Sequence, residues 1–121
     1  MTVSPAPALV RTARALLLIA VVGVAWLAFD PNPPPAADTG WDKSNHALAF
    51  AVQAVLAMAA FPGPPARPGR VGLALLAYGV FIEAVQSQIP GRSGEWPDLL
   101  ADAVGLAIGL ALWGAARRLR R

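Results

Sequence analysis

Four apolar segments divide the chain, at residues 9–29, 44–61, 71–89 and 99–116. Each approaches the length of about 20 residues that an α-helix needs to cross the hydrocarbon core of a bilayer. The breaks between the segments are short, contain proline, glycine or polar residues, and lack the two-residue alternation of a strand. The pattern predicts an all-α fold in which residues 1–121 form a single four-transmembrane-helix bundle.

The composition favours lipid as the solvent of this bundle. Hydrophobic residues make up 56% of the chain and charged residues 14%, whereas charged residues are about a quarter of an average soluble domain. A soluble chain of this length leaves much of its surface in water and needs more charge to cover it. The chain contains no cysteine, which excludes disulfides, thiolate metal sites and cysteine nucleophiles.

The distribution of basic residues predicts the orientation of the bundle. If the N-terminus is cytoplasmic, four crossings return the C-terminus to the cytoplasm, and the outer side keeps only Lys43 and Arg92. The basic residues on the cytoplasmic side are then Arg11, Arg14, Arg67, Arg70, Arg117, Arg118, Arg120 and Arg121. This positive-inside bias predicts cytoplasmic termini, and arginine clusters beside apolar segments favour a role in topology over nucleic-acid binding.

The first segment has a second interpretation, as a signal peptide with Arg11 and Arg14 in its charged leader. No A-x-A-like cleavage pattern follows Phe29, and the proline cluster after it is a poor processing site. We therefore expect this segment to be retained as the first membrane span.

Polar and small residues form one stripe on each of the other three predicted helices, by helical spacing. These stripes are Asp42, His46 and Gln53; then Gly72, Gly79, Glu83 and Gln86; and finally Asp98, Asp102, Gly105 and Gly109. Small residues let helix backbones approach, and the Gly105-x-x-x-Gly109 spacing is typical of close packing, with dimerisation as the alternative. If the stripes face each other, the polar residues meet in a pocket that opens outward.

The candidate site residues of this pocket are Asp42, Lys43, His46, Glu83, Gln86, Arg92, Asp98 and Asp102. Asp42 and Asp98 are explained equally well as first-turn or capping residues of their helices. A structural role in an internal hydrogen bond explains His46 equally well. For Gln86, the structural alternative is a hydrogen bond between helices. Glu83 and Asp102 lie in helix bodies, where capping does not apply, so a functional role is favoured over a structural ion pair with Arg92.

Ordered motifs in this region resemble those of a known family. Residues 42–46 read D-K-x-x-H, residues 83–86 read E-x-x-Q, residues 90–92 read P-x-R, and residues 98–102 read D-x-x-x-D. In this order around four apolar segments, they resemble the VanZ-like family of bacterial membrane proteins over residues 42–109. The resemblance implies a multi-pass protein of the bacterial inner membrane with a role in the cell envelope. The family's named member is associated with teicoplanin resistance, and no reaction is established for the family.

Three functions are consistent with these residues. The first is a binding or protective protein whose pocket engages a lipid-linked envelope precursor or an amphiphilic antibiotic. The second is an intramembrane enzyme that modifies such a lipid, since acid–base chemistry needs carboxyl and imidazole groups. The third, a transporter, ranks last because the acidic residues lie at one end of the spans and not at the midplane.

Whether the chain is an enzyme stays open at this point. Asp42, His46, Glu83 and Asp102 also offer the oxygen and imidazole donors that divalent cations take. The chain has no H-E-x-x-H motif, so the sequence does not indicate a metal, and we expect no cofactor.

Overall fold

The computed structural model describes residues 5–64 and 67–121, and within these ranges it contains four α-helices and no strand. The helices are α1 (Pro7–Phe29), α2 (Asp42–Ala60), α3 (Arg67–Gln86) and α4 (Trp96–Leu119). A single 3-10 turn, Pro35–Ala37, lies between α1 and α2. The all-α prediction is confirmed, and each predicted apolar segment coincides with one helix.

The helices differ from the predicted segments mainly around the connection between α3 and α4. The third segment was predicted to continue to Ile89, but α3 ends at Gln86 and the chain turns, with Ile89 N donating to Gln86 O over 3.1 Å. Helix α4 begins at Trp96, before the predicted Leu99, with a proline in its first turn. Proline fits this position because the first N–H groups of a helix have no partner within the helix.

Helices α1, α3 and α4 are long and apolar enough to cross a membrane. Helix α2 is long enough, with 19 residues, but it is not apolar enough to be counted with the other three. Its first two turns carry the polar run from Asp42 to His46, and Gln53 follows in its middle. Three of the described helices are therefore long and apolar enough to span a membrane, and α2 is distinguished by its polar N-terminal end.

Helix α2 also supplies much of the buried core. Phe50, Ala54, Ala57 and Met58 of α2 pack with Val71 and Leu75 of α3 and with Leu106 of α4. Among the described residues of α1, by contrast, only Ala13 is buried. The core is thus built around α2, and α1 packs along one side of it.

The surface of the bundle is apolar and its interior is partly polar. Large hydrophobic side chains are exposed along α1, α3 and α4, including Leu18, Ile19, Leu73, Phe81, Ile108 and Leu112. The buried polar side chains are Gln53, Arg67, Glu83, Gln86, Asp98 and Asp102. This distribution is unfavourable in water and suits a bundle surrounded by lipid, because polar residues in membrane helices face the bundle interior.

The closest helix approach joins α4 to α2. A Cβ atom at Gly105 would collide with the backbone of Ala47, and one at Gly109 would lie 2.5 Å from the carbonyl oxygen of Ala51. The two backbones can meet because glycine has only a hydrogen atom in place of a side chain at both positions. The predicted close packing of the Gly105-x-x-x-Gly109 stripe is therefore observed, and its partner is the alanine-rich face of α2.

The substitution Gly105→Ala tests this contact. We expect it to lower the stability of the bundle by about 1–3 kcal/mol, because the added methyl group pushes α4 away from α2. The matched control is Gly114→Ala in the same helix, where an added Cβ meets nothing within 4 Å. Thermal unfolding of the purified variants in detergent measures the difference. Equal midpoints for the two variants would contradict the role of Gly105.

Candidate functional site

The candidate residues lie at the end of the bundle where α2 and α4 begin and α1 and α3 end, which we call the site end. Asp42, Lys43 and His46 come from the first two turns of α2, and Asp98 and Asp102 from those of α4. Glu83 lies in the last turn of α3. The predicted meeting of three polar stripes is therefore present in the structure.

His46 is surrounded by three carboxylates. Its Nδ1 lies 2.8 Å from Asp102 Oδ1, at hydrogen-bonding distance. Its Nε2 lies 3.5 Å from Asp98 Oδ2 and 3.8 Å from Asp42 Oδ1. We call Asp42, His46, Glu83, Asp98 and Asp102 the histidine cluster. The bond to Asp102 fixes the orientation of the ring, so each ring nitrogen faces a different carboxylate.

Lys43 links the histidine cluster to the loop that precedes α4. Its Nζ hydrogen-bonds to Asp98 Oδ1, and it lies 3.1 Å from Glu95 Oε2 and 3.6 Å from Asp42 Oδ2. The ammonium group of Lys43 is therefore surrounded by carboxylates and offsets part of the negative charge at the site end.

Glu83 holds the start of α4 against the end of α3. Its Oε2 accepts a hydrogen bond of 2.7 Å from the backbone N–H of Glu95. Two glycines make room for these contacts, since a Cβ at Gly94 would lie 2.6 Å from the carbonyl oxygen of Glu83, and a Cβ at Gly79 would lie 2.7 Å from Asp102 Oδ2. The carboxylate of Asp102 thus occupies space that the missing side chain of Gly79 leaves between α3 and α4.

Gln86 and Arg92 both bind the end of α1, so the hydrogen bond between helices that was the alternative for Gln86 is observed. Gln86 Nε2 donates to the carbonyl oxygen of Ala28 over 3.0 Å. Arg92 Nε donates to the same oxygen over 2.7 Å, and its Nη2 to that of Leu27 over 3.0 Å. The last carbonyl groups of a helix have no partner within it, and a cation is favourable there. Both side chains therefore cap the end of α1.

The proposed structural ion pair between Arg92 and the acids of the helix bodies is not formed among the described residues. The chain reverses before Arg92, with a positive φ of 83° at Gly91 and a hydrogen bond of 3.1 Å from Arg92 N to Ile89 O. This turn places the guanidinium group against α1, where it binds carbonyl oxygens.

The first-turn positions predicted for Asp42 and Asp98 are observed, at the helix ends where the dipole favours an anion. Within the described residues neither α2 nor α4 has a side-chain cap, so these aspartates do not act as capping residues. Asp98 binds Lys43, and Asp42 faces Lys43 and His46. These contacts assign both residues to the polar cluster.

The connection before α2 contains a small hydrogen-bond network that the sequence did not predict. Asn45 donates to Asp38 Oδ1 over 2.8 Å and accepts from Thr39 N, also over 2.8 Å. The bond from Asn45, with a second from the backbone of Gly40, lowers the pKa of the exposed Asp38 carboxyl group. The only signal in the sequence is the seven-residue separation of Asp38 and Asn45, which is too common to be informative.

A cavity of about 420 Å³ opens at the site end. Its lining residues are Trp41, Asp42, Lys43, Gln86, Gly91, Arg92, Ser93, Glu95 and Asp98. Its volume is in the range of small-molecule sites, about 300–1,000 Å³. Five of the eight predicted residues are therefore at the cavity surface, while His46, Glu83 and Asp102 belong to the adjoining histidine cluster.

The hydrogen bonds from Arg92 to the end of α1 predict that Arg92 stabilises the bundle. The substitution Arg92→Ala removes two charge-assisted hydrogen bonds and is expected to cost about 1–3 kcal/mol of stability. Arg120→Ala, near the exposed C-terminus, is the matched control. Thermal unfolding in detergent measures both, and an Arg92 variant as stable as the control would exclude the capping role.

No family model, no curated protein and no solved structure matches this chain. The resemblance to the VanZ-like family therefore stays a prediction from the motifs in residues 42–109. The structure adds that the D-K-x-x-H and D-x-x-x-D residues are in mutual contact, whereas the glutamine of E-x-x-Q and the arginine of P-x-R bind α1.

Proposed function

We propose that this chain is a multi-pass protein of the bacterial inner membrane in which all four helices cross the bilayer and both termini are cytoplasmic. Contacts between neighbouring helix ends support an up-and-down arrangement. Arg14 Nε, in α1, donates to the carbonyl oxygen of Ala60 at the end of α2 over 3.0 Å. At the opposite end, α1 ends beside Gln86 and Arg92.

The polar end of α2 is compatible with a crossing. Asp42 and Lys43 line the cavity, and His46 contacts Asp98 and Asp102 of α4, so these side chains avoid lipid. Polar residues in membrane helices are tolerated where they face the bundle interior or a water-filled cleft. Every lysine or arginine other than Lys43 and Arg92 lies toward the other end of the helices, as the positive-inside rule requires of the cytoplasmic side.

Cysteine labelling tests the topology, since the chain has no cysteine of its own. We expect Asp38→Cys and Ser93→Cys to react with a membrane-impermeant maleimide in intact spheroplasts. Gly63→Cys, between α2 and α3, is expected to react only after the membrane is permeabilised. If Gly63→Cys and Asp38→Cys react together in intact spheroplasts, α2 does not cross the membrane.

The function that we propose is binding of an amphiphilic envelope component, either a lipid-linked precursor or an amphiphilic antibiotic. The observation that carries this proposal is the cavity at the site end, because it combines the cations Lys43 and Arg92 with carboxylates. Such a lining fits a polar headgroup with both hydrogen-bond donors and acceptors. The glycopeptide association implied by the family resemblance points to the same class of ligand.

Exposed apolar surface beside the cavity suits the rest of such a ligand. Trp41, which lines the cavity, is 66% exposed, Trp96 at the start of α4 is 76% exposed, and Leu100 is 60% exposed. Tryptophan is favoured at membrane–water interfaces, where its ring is half in lipid and half in water. In our proposal the headgroup occupies the cavity while the acyl chain lies along this surface in the membrane.

Glycopeptide susceptibility of bacteria that express the protein tests this proposal. We expect the wild type to reduce susceptibility to teicoplanin-type antibiotics, and Lys43→Gln and Asp98→Asn to abolish the effect at equal membrane abundance. Asp38→Asn, a change to an exposed carboxyl group outside the cavity lining, is the matched control and should behave as wild type. If the protein protects and both cavity variants protect fully, the cavity is not the binding site.

Catalysis on an envelope lipid is the second candidate function, and the contact between His46 and Asp102 favours it. A histidine held by a carboxylate at one ring nitrogen presents the other nitrogen for proton transfer. Here Nε2 faces Asp98 and Asp42, which line the cavity. Lipid profiling of the same cells separates the two functions, because a chemically altered lipid that needs both wild-type protein and His46 would indicate an enzyme.

A further inference from the structure

We propose that His46, Glu83 and Asp102 form a binding site for a divalent first-row transition cation, of the kind represented by Zn²⁺ and Mn²⁺. One donor atom from each residue lies within 4.8 Å of the other two. The three residues come from α2, α3 and α4, so a bound cation would link three helices. This site adjoins the cavity and does not depend on what the cavity binds.

Two carboxylate oxygens at this place have no hydrogen-bond partner among the described residues, Glu83 Oε1 and Asp102 Oδ2. Glu83 is 8% exposed and Asp102 is 0% exposed. A buried carboxylate oxygen that receives no hydrogen bond from the protein is unfavourable, since its hydration is lost on burial. A cation between these oxygens would satisfy both.

Glu83 and Asp102 lie where α3 and α4 face each other. A Cβ at Gly79 would lie 2.7 Å from Asp102 Oδ2, so this oxygen faces α3 at Gly79. Glu83 is one turn further along α3 and on the same face, because residues four apart in a helix lie above one another. Each of the two carboxylates also offers an oxygen within 4.8 Å of a ring nitrogen of His46.

The other oxygen of Glu83 is already held, because Oε2 accepts a hydrogen bond of 2.7 Å from the backbone of Glu95. Metal ligands are commonly oriented in this way by a hydrogen bond to the atom that does not bind the metal. This contact leaves Oε1 of Glu83 for a cation. The other oxygen of Asp102, Oδ1, lies 2.8 Å from His46 Nδ1, and a cation bound there would replace the proton that these two atoms share.

His46 has the same kind of support. When Nδ1 binds a cation, the proton on Nε2 points to Asp98 Oδ2 at 3.5 Å and Asp42 Oδ1 at 3.8 Å. A carboxylate that receives the second N–H of a metal-bound histidine fixes its tautomer and strengthens it as a ligand. Asp98 and Asp42 would thus support the ligand without contacting the metal.

The donor set selects the class of cation. One imidazole nitrogen with carboxylate oxygens suits zinc, manganese and iron, whereas Mg²⁺ and Ca²⁺ prefer oxygen ligands alone. Neighbouring ligand atoms around a cation at about 2.1 Å lie about 3.0–3.4 Å apart. His46 Nδ1 and Asp102 Oδ1, 2.8 Å apart, are already near that spacing, and Glu83 offers a donor atom within 4.8 Å of donor atoms of both residues.

Metal binding by the purified full-length protein tests the proposal. The protein is prepared in detergent with an affinity tag that contains no histidine, treated with EDTA, and titrated calorimetrically with Zn²⁺ or with Mn²⁺. We expect one cation per chain and a higher thermal midpoint when it is bound. Glu83→Gln and Asp102→Asn are expected to weaken binding at least tenfold, while Asp38→Asn in the exposed loop binds as the wild type does.

A spectroscopic measurement on the wild type keeps the test independent of whether the variants fold. Pulsed electron paramagnetic resonance of bound Mn²⁺ is expected to detect coupling to one ¹⁴N nucleus, from the imidazole of His46, the single histidine of the chain. Absence of stoichiometric binding, absence of nitrogen coupling, or equal affinity in well-folded Glu83→Gln protein would each overturn the site. A purely structural arrangement, in which a protonated His46 is shared by Asp98 and Asp102, predicts those results.

Discussion

The direct contact between α2 and α4 is the constraint on which the site depends. Gly105 and Gly109 allow the backbone of α4 to reach Ala47 and Ala51 of α2. One turn nearer the site end, the same approach brings Asp102 within hydrogen-bonding distance of His46. A side chain at position 105 would push α4 away from α2. The contact between His46 and Asp102 would then be lost as well, because packed helices move as rigid units.

The polar cluster is energetically unfavourable unless its members satisfy one another. Asp98 and Asp102 are almost fully buried, and ionised carboxylates in such a place need a cation or several donors. Lys43 and His46 supply part of this compensation, while one oxygen each of Glu83 and Asp102 has no hydrogen-bond partner among residues 5–64 and 67–121. A bundle selected for stability alone would place apolar residues here, so this incomplete pairing is what separates the site from ordinary packing.

The motif residues divide into two groups with different physical roles. Asp42, Lys43, His46, Asp98 and Asp102 contact one another across α2 and α4. Gln86 and Arg92 instead bind the final carbonyl groups of α1. Nearer the middle of α1, the carbonyl oxygen of Val21 accepts a hydrogen bond from the hydroxyl group of Tyr78. Helix α1 has few buried side chains of its own, so these polar contacts fix its position. Gln86 and Arg92 thus position α1 in addition to lining the cavity.

The sequence alone determined the four helices, the concentration of acidic residues at one end of the bundle and the stripe of glycines that permits close packing. These features follow from local hydrophobicity and from the 3.6-residue period of a helix, which are visible in any stretch of chain. The helix ends were less well determined near Gln86 and Trp96, because the turn between α3 and α4 depends on contacts with α1.

Only the tertiary structure decided which polar groups meet. Helical spacing places Asp98 and Asp102 on one face of α4, and Glu83 on one face of α3. It does not fix the rotation and axial offset of one helix against another. A shift of a few ångströms along a helix axis would change the hydrogen-bond partner of each of these residues. That offset pairs His46 with Asp102 and directs Arg92 to α1. It also leaves Glu83 Oε1 and Asp102 Oδ2 without a hydrogen-bond partner in the described part of the chain. Hydrogen bonds and metal sites need atoms within a few tenths of an ångström, and this precision comes from packing of the whole bundle.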